Sequence, residues 1–198
     1  MTCVSKLSDI AEVSAGYPFR GKIEAVSAGS VAVIQMKNID AFQKIDWSSL
    51  IRTELKGKKA PKWLKESDIL FLARGNRNYA VYLAEVKEQT LCSPHFFQIY
   101  TKDEQCVLPA FLAWQINQQP IQRYLLKSIE GTAIGNIRRS VLESIPIVLP
   151  PIEKQLSIIA LDNIVKQQQI ILEQQIENNH QTMNAIAQQL VHEDELNR

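Results

Sequence analysis

The stretch EGTAIGNIRRSVLESIPIVLPPIEKQ, residues 130–155, is where the character of the chain changes. It leads from a glycine-containing basic turn into the apolar segment SIPIVL, which is followed by the pair Pro150 and Pro151. Proline interrupts a β-strand because it lacks a backbone N–H, yet it fits the first turn of a helix. Neither proline nor glycine occurs among the remaining 47 residues. The pattern therefore predicts a last strand, a sharp corner and one long helix.

A regular apolar spacing runs along this predicted helix. In alternating steps of four and three residues, the positions are Val165, Gln169, Leu172, Ile176, Asn179, Met183, Ile186 and Leu190. Such a spacing is typical of a coiled coil, although a helix packed on its own domain would show the same stripe. A helix of 47 residues would span about 70 Å, farther than a domain of about 150 residues extends. We therefore expect a partner helix, with a homodimer interface formed by Val165, Leu172, Ile176, Asn179, Met183, Ile186 and Leu190.

The rest of the chain favours an α+β fold over a doubly wound sheet, because its β-like runs do not alternate regularly with helices. We expect a strand-rich globular domain over residues 1–150 and the long coiled-coil helix over residues 151–198. Helices are predicted at residues 5–15, with Gly16 as the stop, and at residues 108–131, where Pro120 divides the stretch in two and Gly131 caps it. Strands are predicted at residues 30–36, 68–73, 79–86, 95–100 and 144–149.

Composition and charge narrow the class of protein. An apolar share of 45% and a charged share of 22% are typical of soluble globular proteins. No stretch reaches the roughly 18 apolar residues of a membrane span, and no apolar signal core begins the chain, so we expect a cytoplasmic protein. Residues 1–151 hold 19 Lys and Arg against 14 Asp and Glu, whereas residues 152–198 hold 3 against 7. A polyanionic partner would therefore bind the globular part rather than the helix.

The sequence contains no motif that points to catalysis. It lacks the glycine-rich loops of nucleotide-binding proteins, the GxSxG of hydrolases and the HExxH of zinc proteases. The three cysteines have no CxxC spacing, which favours reduced thiols over a disulfide framework or a zinc site, and no two histidines have metal-ligand spacing. We therefore expect a non-catalytic chain with no metal or cofactor of its own.

The segment ARGNRNYA, residues 73–80, is the most suggestive loop. It lies between two predicted strands and so forms the tip of a hairpin. Arginine can hold the O6 and N7 atoms of guanine with two hydrogen bonds, and asparagine can hold the N6 and N7 atoms of adenine. The alternative is that glycine and asparagine merely satisfy the turn while the arginines are solvated. The candidate base-reading residues are Arg74, Asn76, Arg77, Asn78 and Tyr79.

Three further segments carry candidate DNA contacts. The loop YPFRGKIEA contributes Arg20 and Lys22, and a lysine cluster around Trp63 contributes Lys58, Lys59 and Lys62. Lysines in such a cluster would bind phosphates in a salt-dependent way, although a solvated loop explains them equally well. The turn GTAIGNIRRS offers backbone access at its glycines, and its candidate contacts are Thr132, Asn136, Arg138 and Arg139. A surface turn that merely carries a basic pair is the alternative.

Together these segments resemble the specificity (S) subunit of type I restriction-modification enzymes. KLSDIAEVSAG, SDILFLARG and EGTAIGNIRRSVLESIPIVLPPIEKQLSIIALDNI carry the resemblance. The last is the most diagnostic, because in that family a Gly-Thr turn leads through a short helix to a proline corner that opens the long helix. The matching positions are Gly131, Thr132, Ile137, Leu142, Ile145, Pro146, Leu149, Pro150, Pro151, Glu153 and Gln155, while Lys154 replaces the usual glutamate.

The resemblance implies a DNA-reading subunit that assembles with methyltransferase subunits and, for cleavage, with a restriction-translocase subunit. S-adenosylmethionine and ATP would be handled by those partners. Typical members contain two recognition domains with two long helices, whereas this sequence has one of each, so the resemblance suggests a half-sized subunit that dimerises to read a split target in double-stranded DNA. An S-like interaction or regulatory fragment that binds the methyltransferase without reading DNA remains an alternative.

Overall fold

The structure, a computed structural model, describes residues 3–55, 60–75, 77–129 and 136–196. It confirms the α+β class and the long C-terminal helix. Two short 3-10 helices, Met36–Asn38 and Trp47–Ser49, lie between the third and fourth strands. The strands and α-helices of the described ranges are, in chain order, β1 (Cys3–Lys6), α1 (Leu7–Ile10), β2 (Ala11–Ala15), β3 (Val31–Ile34), β4 (Ile51–Thr53), β5 (Ile69–Leu72), β6 (Ala80–Tyr82), β7 (Thr90–Cys92), β8 (Phe96–Thr101), α2 (Pro109–Ile116), α3 (Gln119–Ile129), α4 (Arg139–Glu143), β9 (Pro146–Leu149) and α5 (Ile152–Leu196).

An antiparallel four-stranded sheet, in the order β2-β8-β5-β6, lies at the centre of the globular part. Ile69 and Phe71 of β5 pack into one core cluster that also contains residues of α2 and α3. Leu70 and Leu72 pack into a second cluster with residues of β6 and β7. Because successive side chains of a strand point to opposite faces, both faces of β5 are covered. This explains why β5 reads as the unbroken apolar run ILFL.

A second sheet has the order β4-β3-β7, with β3 antiparallel to β4 and parallel to β7. All four residues of β3, VAVI, are buried. Val31 and Val33 form a third core cluster with Tyr17 and Leu91, against which Phe19 and Trp63 are packed. The loop that carries Arg20 and the segment that carries Lys62 are therefore attached to the same cluster.

The first and last strands, β1 and β9, pair antiparallel, with Cys3 opposite Leu149 and Lys6 opposite Pro146. Two amide side chains of the α2 region cover outer strands. Gln115 donates to the carbonyl of Val148 at 2.9 Å and accepts from its N–H at 3.0 Å. Asn117 likewise donates to the carbonyl of Ala80 and accepts from its N–H, both at 2.8 Å. Each amide thus satisfies backbone groups that an edge strand would otherwise leave unpaired.

The predicted helix at residues 5–15 is wrong. That segment forms β1, the single-turn α1 and β2, because Ala11–Ala15 pairs with β8 at five positions. Tertiary pairing here overrides local helix propensity. Gly16 does not stop a helix; it permits a close approach, since a Cβ there would lie 2.2 Å from the carbonyl oxygen of Ser93.

The other predicted elements differ from the structure mainly in their bounds. The division of the long helical stretch is confirmed, with Pro120 in the first turn of α3. The strand predicted at residues 79–86 shortens to β6. Gly131, the predicted cap, lies outside the described residues. The short strands β4 and β7 were not predicted.

Two compact units divide the chain, residues 1–159 and residues 160–198. The first two turns of α5 belong to the globular unit, because Ile158 and Ile159 pack against its main core cluster. The second unit consists of the rest of the helix. Within the described ranges, no helix combines the length and the hydropathy needed to cross a membrane.

Candidate nucleic-acid interface

The hairpin loop, residues 74–79, connects the antiparallel strands β5 and β6 as expected. The N–H of Leu72 donates to the carbonyl of Tyr79 at 2.8 Å, and the Asn78 amide donates to the carbonyl of Leu72 at 3.0 Å. Gly75 has φ of 139°, a conformation that favours glycine. Asn78 therefore contributes to the turn itself, whereas Arg74 and Arg77 are exposed.

The hairpin loop is joined to the basic turn that precedes α4. Arg74 and Asn136 form an antiparallel β-bridge, and the N–H of Ile137 donates to the carbonyl of Ala73 at 2.9 Å. Ile137 is buried in the main core cluster, which anchors the turn. Two segments that lie about 60 residues apart in the sequence are thus adjacent.

The two arginines of the turn differ in their surroundings. Arg138 is exposed at the N-terminus of α4. Arg139 is exposed as well, but its Nε lies 2.7 Å from the Glu143 carboxylate one helical turn away. That pair partly neutralises Arg139 and makes Arg138 the better phosphate ligand of the two. Asn76 and Thr132, also predicted to contact DNA, lie outside the described residues.

Three of the remaining predicted cations are next in sequence to side chains that pack against the third core cluster. Arg20, Lys22 and Lys62 are exposed, next to the packed side chains of Phe19 and Trp63. The carbonyl of Trp63 accepts a hydrogen bond from the buried Gln98 at 3.3 Å, which fixes the backbone beside Lys62. Lys58 and Lys59 lie outside the described residues. The predicted residues that the structure describes therefore fall into two groups, one on the hairpin loop and turn and one around Trp63.

A cleft of about 820 Å³ adjoins the hairpin loop. Its floor contains apolar side chains of α3 such as Leu125. The residues that line it are Ile39, Asp40, Ala41, Gln43, Gly75, Arg77, Asn78, Tyr79, Asn117, Gln122, Leu125, Leu126 and Ile129. Burial raises the pKa of Tyr79, and the negative charge of Asp40 raises it further.

Four residues that line this cleft, Ile39, Asp40, Ala41 and Gln43, were not predicted from sequence. Asp40 accepts hydrogen bonds from the N–H groups of Phe42 and Lys44, each at 2.8 Å. Such a turn is readable in the sequence, because aspartate commonly binds the backbone N–H two residues later. The position of the turn beside Arg77 cannot be predicted from the sequence, because it depends on how β3 and β5 are arranged in the folded domain. Asn117 also lines the cleft and bonds to Gln43 at 2.9 Å.

The predicted seam of α5 is exposed in the single chain. Val165, Leu172, Ile176, Met183 and Ile186 are between 45% and 64% exposed, and Asn179 is exposed as well. The side chain of Leu190 lies outside the described part of the chain. A helix face with this many exposed large apolar side chains is typical of an interaction surface.

A second apolar pair, Ile164 and Ile171, lies about 100° around the helix from the neighbouring seam residues Val165 and Leu172, at 100° per residue. These side chains are 52–54% exposed. The first half of α5 thus presents two apolar faces.

The described residues contain no group of three or more His, Cys, Asp or Glu that could hold a metal ion. Cys92 is buried, which raises its pKa to about 12, while Cys3 and Cys106 are exposed free thiols. What the described surface offers is exposed arginines and amides next to a cleft, the side chains that bind base edges and phosphates.

The sequence profile of the type I restriction modification DNA specificity domain matches residues 2–180. The chain belongs to this family. No match was found among curated proteins.

Solved structures of type I systems share the fold of this specificity domain. The S subunit from M. genitalium is 17% identical, with a TM-score of 0.58 over 91% of this chain and 43% of that one. The HsdS subunit from Thermoanaerobacter tengcongensis is 15% identical, with a TM-score of 0.57 over 84% of this chain and 38% of that one. A structure described as the basis of complex assembly and conformational transition of the type I R-M system is 15% identical, with a TM-score of 0.58 over 86% and 40%. The chain spans about two fifths of the length of these proteins.

The proline corner of this specificity domain is held by Gln155, which is fully buried. Its side-chain oxygen accepts from the N–H of Leu108 at 2.9 Å. Its amide nitrogen donates to the carbonyls of Cys106 and Pro150 at 3.0 and 2.8 Å. One side chain thus ties the start of α5 to the end of β9 and to the segment that opens α2. The diagnostic glutamine of the motif is therefore a structural tie rather than a contact for a ligand.

Proposed function

We propose that this chain is a non-catalytic specificity subunit that reads a DNA sequence for a type I restriction-modification complex. The observation that carries the proposal is the bridge between Arg74 and Asn136, which joins the hairpin loop to the basic turn. Arg77 would read a base edge in the major groove, which is about 12 Å wide and admits a hairpin tip. Arg138 would hold a phosphate and position the loop.

The proposed subunit acts as a dimer through the seam of α5. Two copies with antiparallel helices would hold two recognition domains apart. Half-sites separated by about one helical turn, roughly 34 Å, or more would suit such an arrangement. With two-fold symmetry, the target would be a palindrome interrupted by a gap that is not read.

Methyltransferase subunits are the proposed partners, with a restriction-translocase subunit added for cleavage. The second apolar pair, Ile164 and Ile171, supports a partner beyond the second copy, because a dimer seam covers only one face of a helix. S-adenosylmethionine and ATP would bind the partner subunits, and this chain would determine which DNA sequence the complex binds.

Replacing Arg77 with alanine tests the proposal in the reconstituted methyltransferase complex. We expect a loss of about 1–3 kcal/mol on the cognate duplex and much less on random DNA, because base contacts carry discrimination. New methylated sequences should appear as specificity relaxes. Arg138→Ala is the matched control, since loss of a phosphate contact weakens binding to both duplexes alike.

Two results would contradict parts of this proposal. If Arg77→Ala leaves both affinity and the methylated sequences unchanged, the reading surface lies elsewhere, and the loop at residues 17–22 is the next candidate. If the wild-type chain binds the methyltransferase but selects no DNA sequence, it is an interaction or regulatory fragment.

A further inference from the structure

We propose that Asp40 is a specificity-determining residue that accepts a hydrogen bond from the exocyclic amino group of a cytosine or an adenine. This inference rests on the proposed function, because it assigns a second reading residue to the same interface. Asp40 lies in a different segment from the hairpin loop and was not predicted from sequence.

The Asp40 carboxylate is held in place by its own turn. Its Oδ1 atom accepts from Phe42 and Lys44, each at 2.8 Å, and the backbone N–H of Asp40 donates to the carbonyl of Lys44 at 3.0 Å. A bridge between Ile39 and Ile45 closes the turn. The Oδ2 atom has no hydrogen bond to any residue in the described ranges. One oxygen therefore fixes the group and the other is available for a ligand.

The turn faces the same cleft as the hairpin loop. Asp40, Arg77 and Tyr79 all line this cleft. The 3-10 helix that leads into the turn lies close to the loop, since a Cβ added at Gly75 would sit 3.7 Å from the Met36 sulfur. Asp40 also acts electrostatically on Tyr79. DNA that brings a base edge to Arg77 would therefore pass close to Asp40.

Charge limits what Asp40 can bind there. A carboxylate repels phosphates, so it weakens rather than strengthens general attraction to DNA. In the major groove only cytosine N4 and adenine N6 present hydrogen-bond donors, and Asp and Glu are suited to accept from cytosine N4. Arg77 would therefore select bases that present hydrogen-bond acceptors in the major groove, and Asp40 would select bases that present a donor. A base without an amino group opposite Asp40 would leave the carboxylate facing an acceptor or a methyl group.

The test compares Asp40→Asn with Asp46→Asn in the full-length chain, assembled with its methyltransferase. Asparagine keeps the Oδ1 acceptor of the turn and replaces Oδ2 with a donor. Asp46 is a matched control, because its carboxylate likewise accepts from the backbone N–H two residues later, that of Ser48, but it does not line the cleft. Both variants remove one negative charge. Binding would be measured by selection from a random duplex library and by titration of the selected sequences.

We expect Asp40→Asn to change the preferred base at one position by roughly 5- to 150-fold, the range of a good base contact. Asp46→Asn should leave the selected sequence unchanged. Any increase in affinity for random DNA should be similar in the two variants. If Asp40→Asn unfolds, Asp40→Ser keeps one side-chain acceptor and should show the same loss of preference.

The outcomes separate this inference from the proposed function. A wild-type chain that selects no sequence would overturn both. A wild-type chain that selects a sequence, together with an Asp40→Asn variant that selects the same one, would overturn the role of Asp40 alone. Equal changes in Asp40→Asn and Asp46→Asn would also overturn it, because the effect would then be one of overall charge.

Discussion

Asp68 and Gln98 form a buried polar pair beside the central sheet. The Gln98 amide and the N–H of Lys65 both donate to the Oδ2 atom of Asp68, at 2.7 and 2.8 Å. Asp68 is only 6% exposed. Burial raises the pKa of Asp68, while the hydrogen bonds from Lys65 and Gln98 and the charge of Lys65 lower it in part. Burial therefore disfavours the ionised Asp68 carboxylate, and the two hydrogen bonds offset part of that effect.

We expect the free energy of unfolding of Asp68→Asn to increase, relative to that of the wild-type protein, as the pH rises. A carboxyl group whose pKa is raised by folding contributes most below its unfolded pKa, and that contribution is lost as the pH rises through the folded pKa. Asparagine keeps an acceptor oxygen and does not titrate. Chemical unfolding between pH 3 and pH 8, a range chosen to bracket the usual aspartate pKa of about 3.9, would measure the difference in free energy of unfolding.

Asp103 provides the control. Hydrogen bonds from the Cys106 thiol and the Gln105 N–H lower its pKa, so its contribution is present above the unfolded pKa and is lost as the pH falls. Asp103→Asn should therefore show the opposite trend with pH. The same trend in both variants would mean that burial of Asp68 does not dominate its titration.

At the scale of elements, the amphipathic pattern predicted α5 better than local propensity predicted the N-terminal segment. The pattern of α5 is local and repeated, and no β-strand partner competes for it. Residues 5–15 carry a helix-like pattern too, but β8 and β9 offer strand partners whose positions depend on distant parts of the chain. Local helix propensity carries no information about such distant strand partners.

Replacing Ile176 and Ile186 together with lysine should convert the proposed dimer into monomers. Burial of each isoleucine contributes roughly 1.5–3 kcal/mol relative to exposure, and the lysines add like-charge repulsion across a two-fold seam. Light scattering on the purified chain gives the mass directly. Lysines at Gln174 and Gln188, on the opposite face of the helix, add the same charge and should leave the dimer intact. If the variant with lysine at both positions is still a dimer, the seam is not the dimer interface.

At the scale of the whole molecule, general DNA affinity should depend steeply on salt. Each phosphate contact contributes close to one unit to the slope of log affinity against log salt. Neutralising Lys58, Lys59 and Lys62 with glutamine should therefore reduce that slope by close to one unit per contact. The measurement is a salt titration with random duplex. Lys154→Gln with Lys166→Gln, on the helix, is the control, and an unchanged slope in the triple variant would exclude the lysine cluster from the interface.

Much of the fold and part of the candidate site could be predicted from the sequence. Local sequence patterns predicted three features that are present in the structure: the strand ILFL, the proline corner and the hairpin loop. The bridge between Arg74 and Asn136 and the cleft beside Asp40 arise only when distant segments pack together. The sequence contains these residues but not the distances between them. For the same reason it could not distinguish Arg138 from Arg139, since the contact with Glu143 depends on the short helix α4.

Asn117 bears on how target specificity is inherited. It holds both backbone groups of Ala80 from outside the sheet, so the first residue of β6 is anchored by a contact that does not involve the hairpin loop. Mutation can therefore alter that loop while the strand it enters stays in place. If the loop reads DNA as proposed, descendant genes can acquire a new target by exchanging a few codons. The scaffold that presents the loop is passed on unchanged.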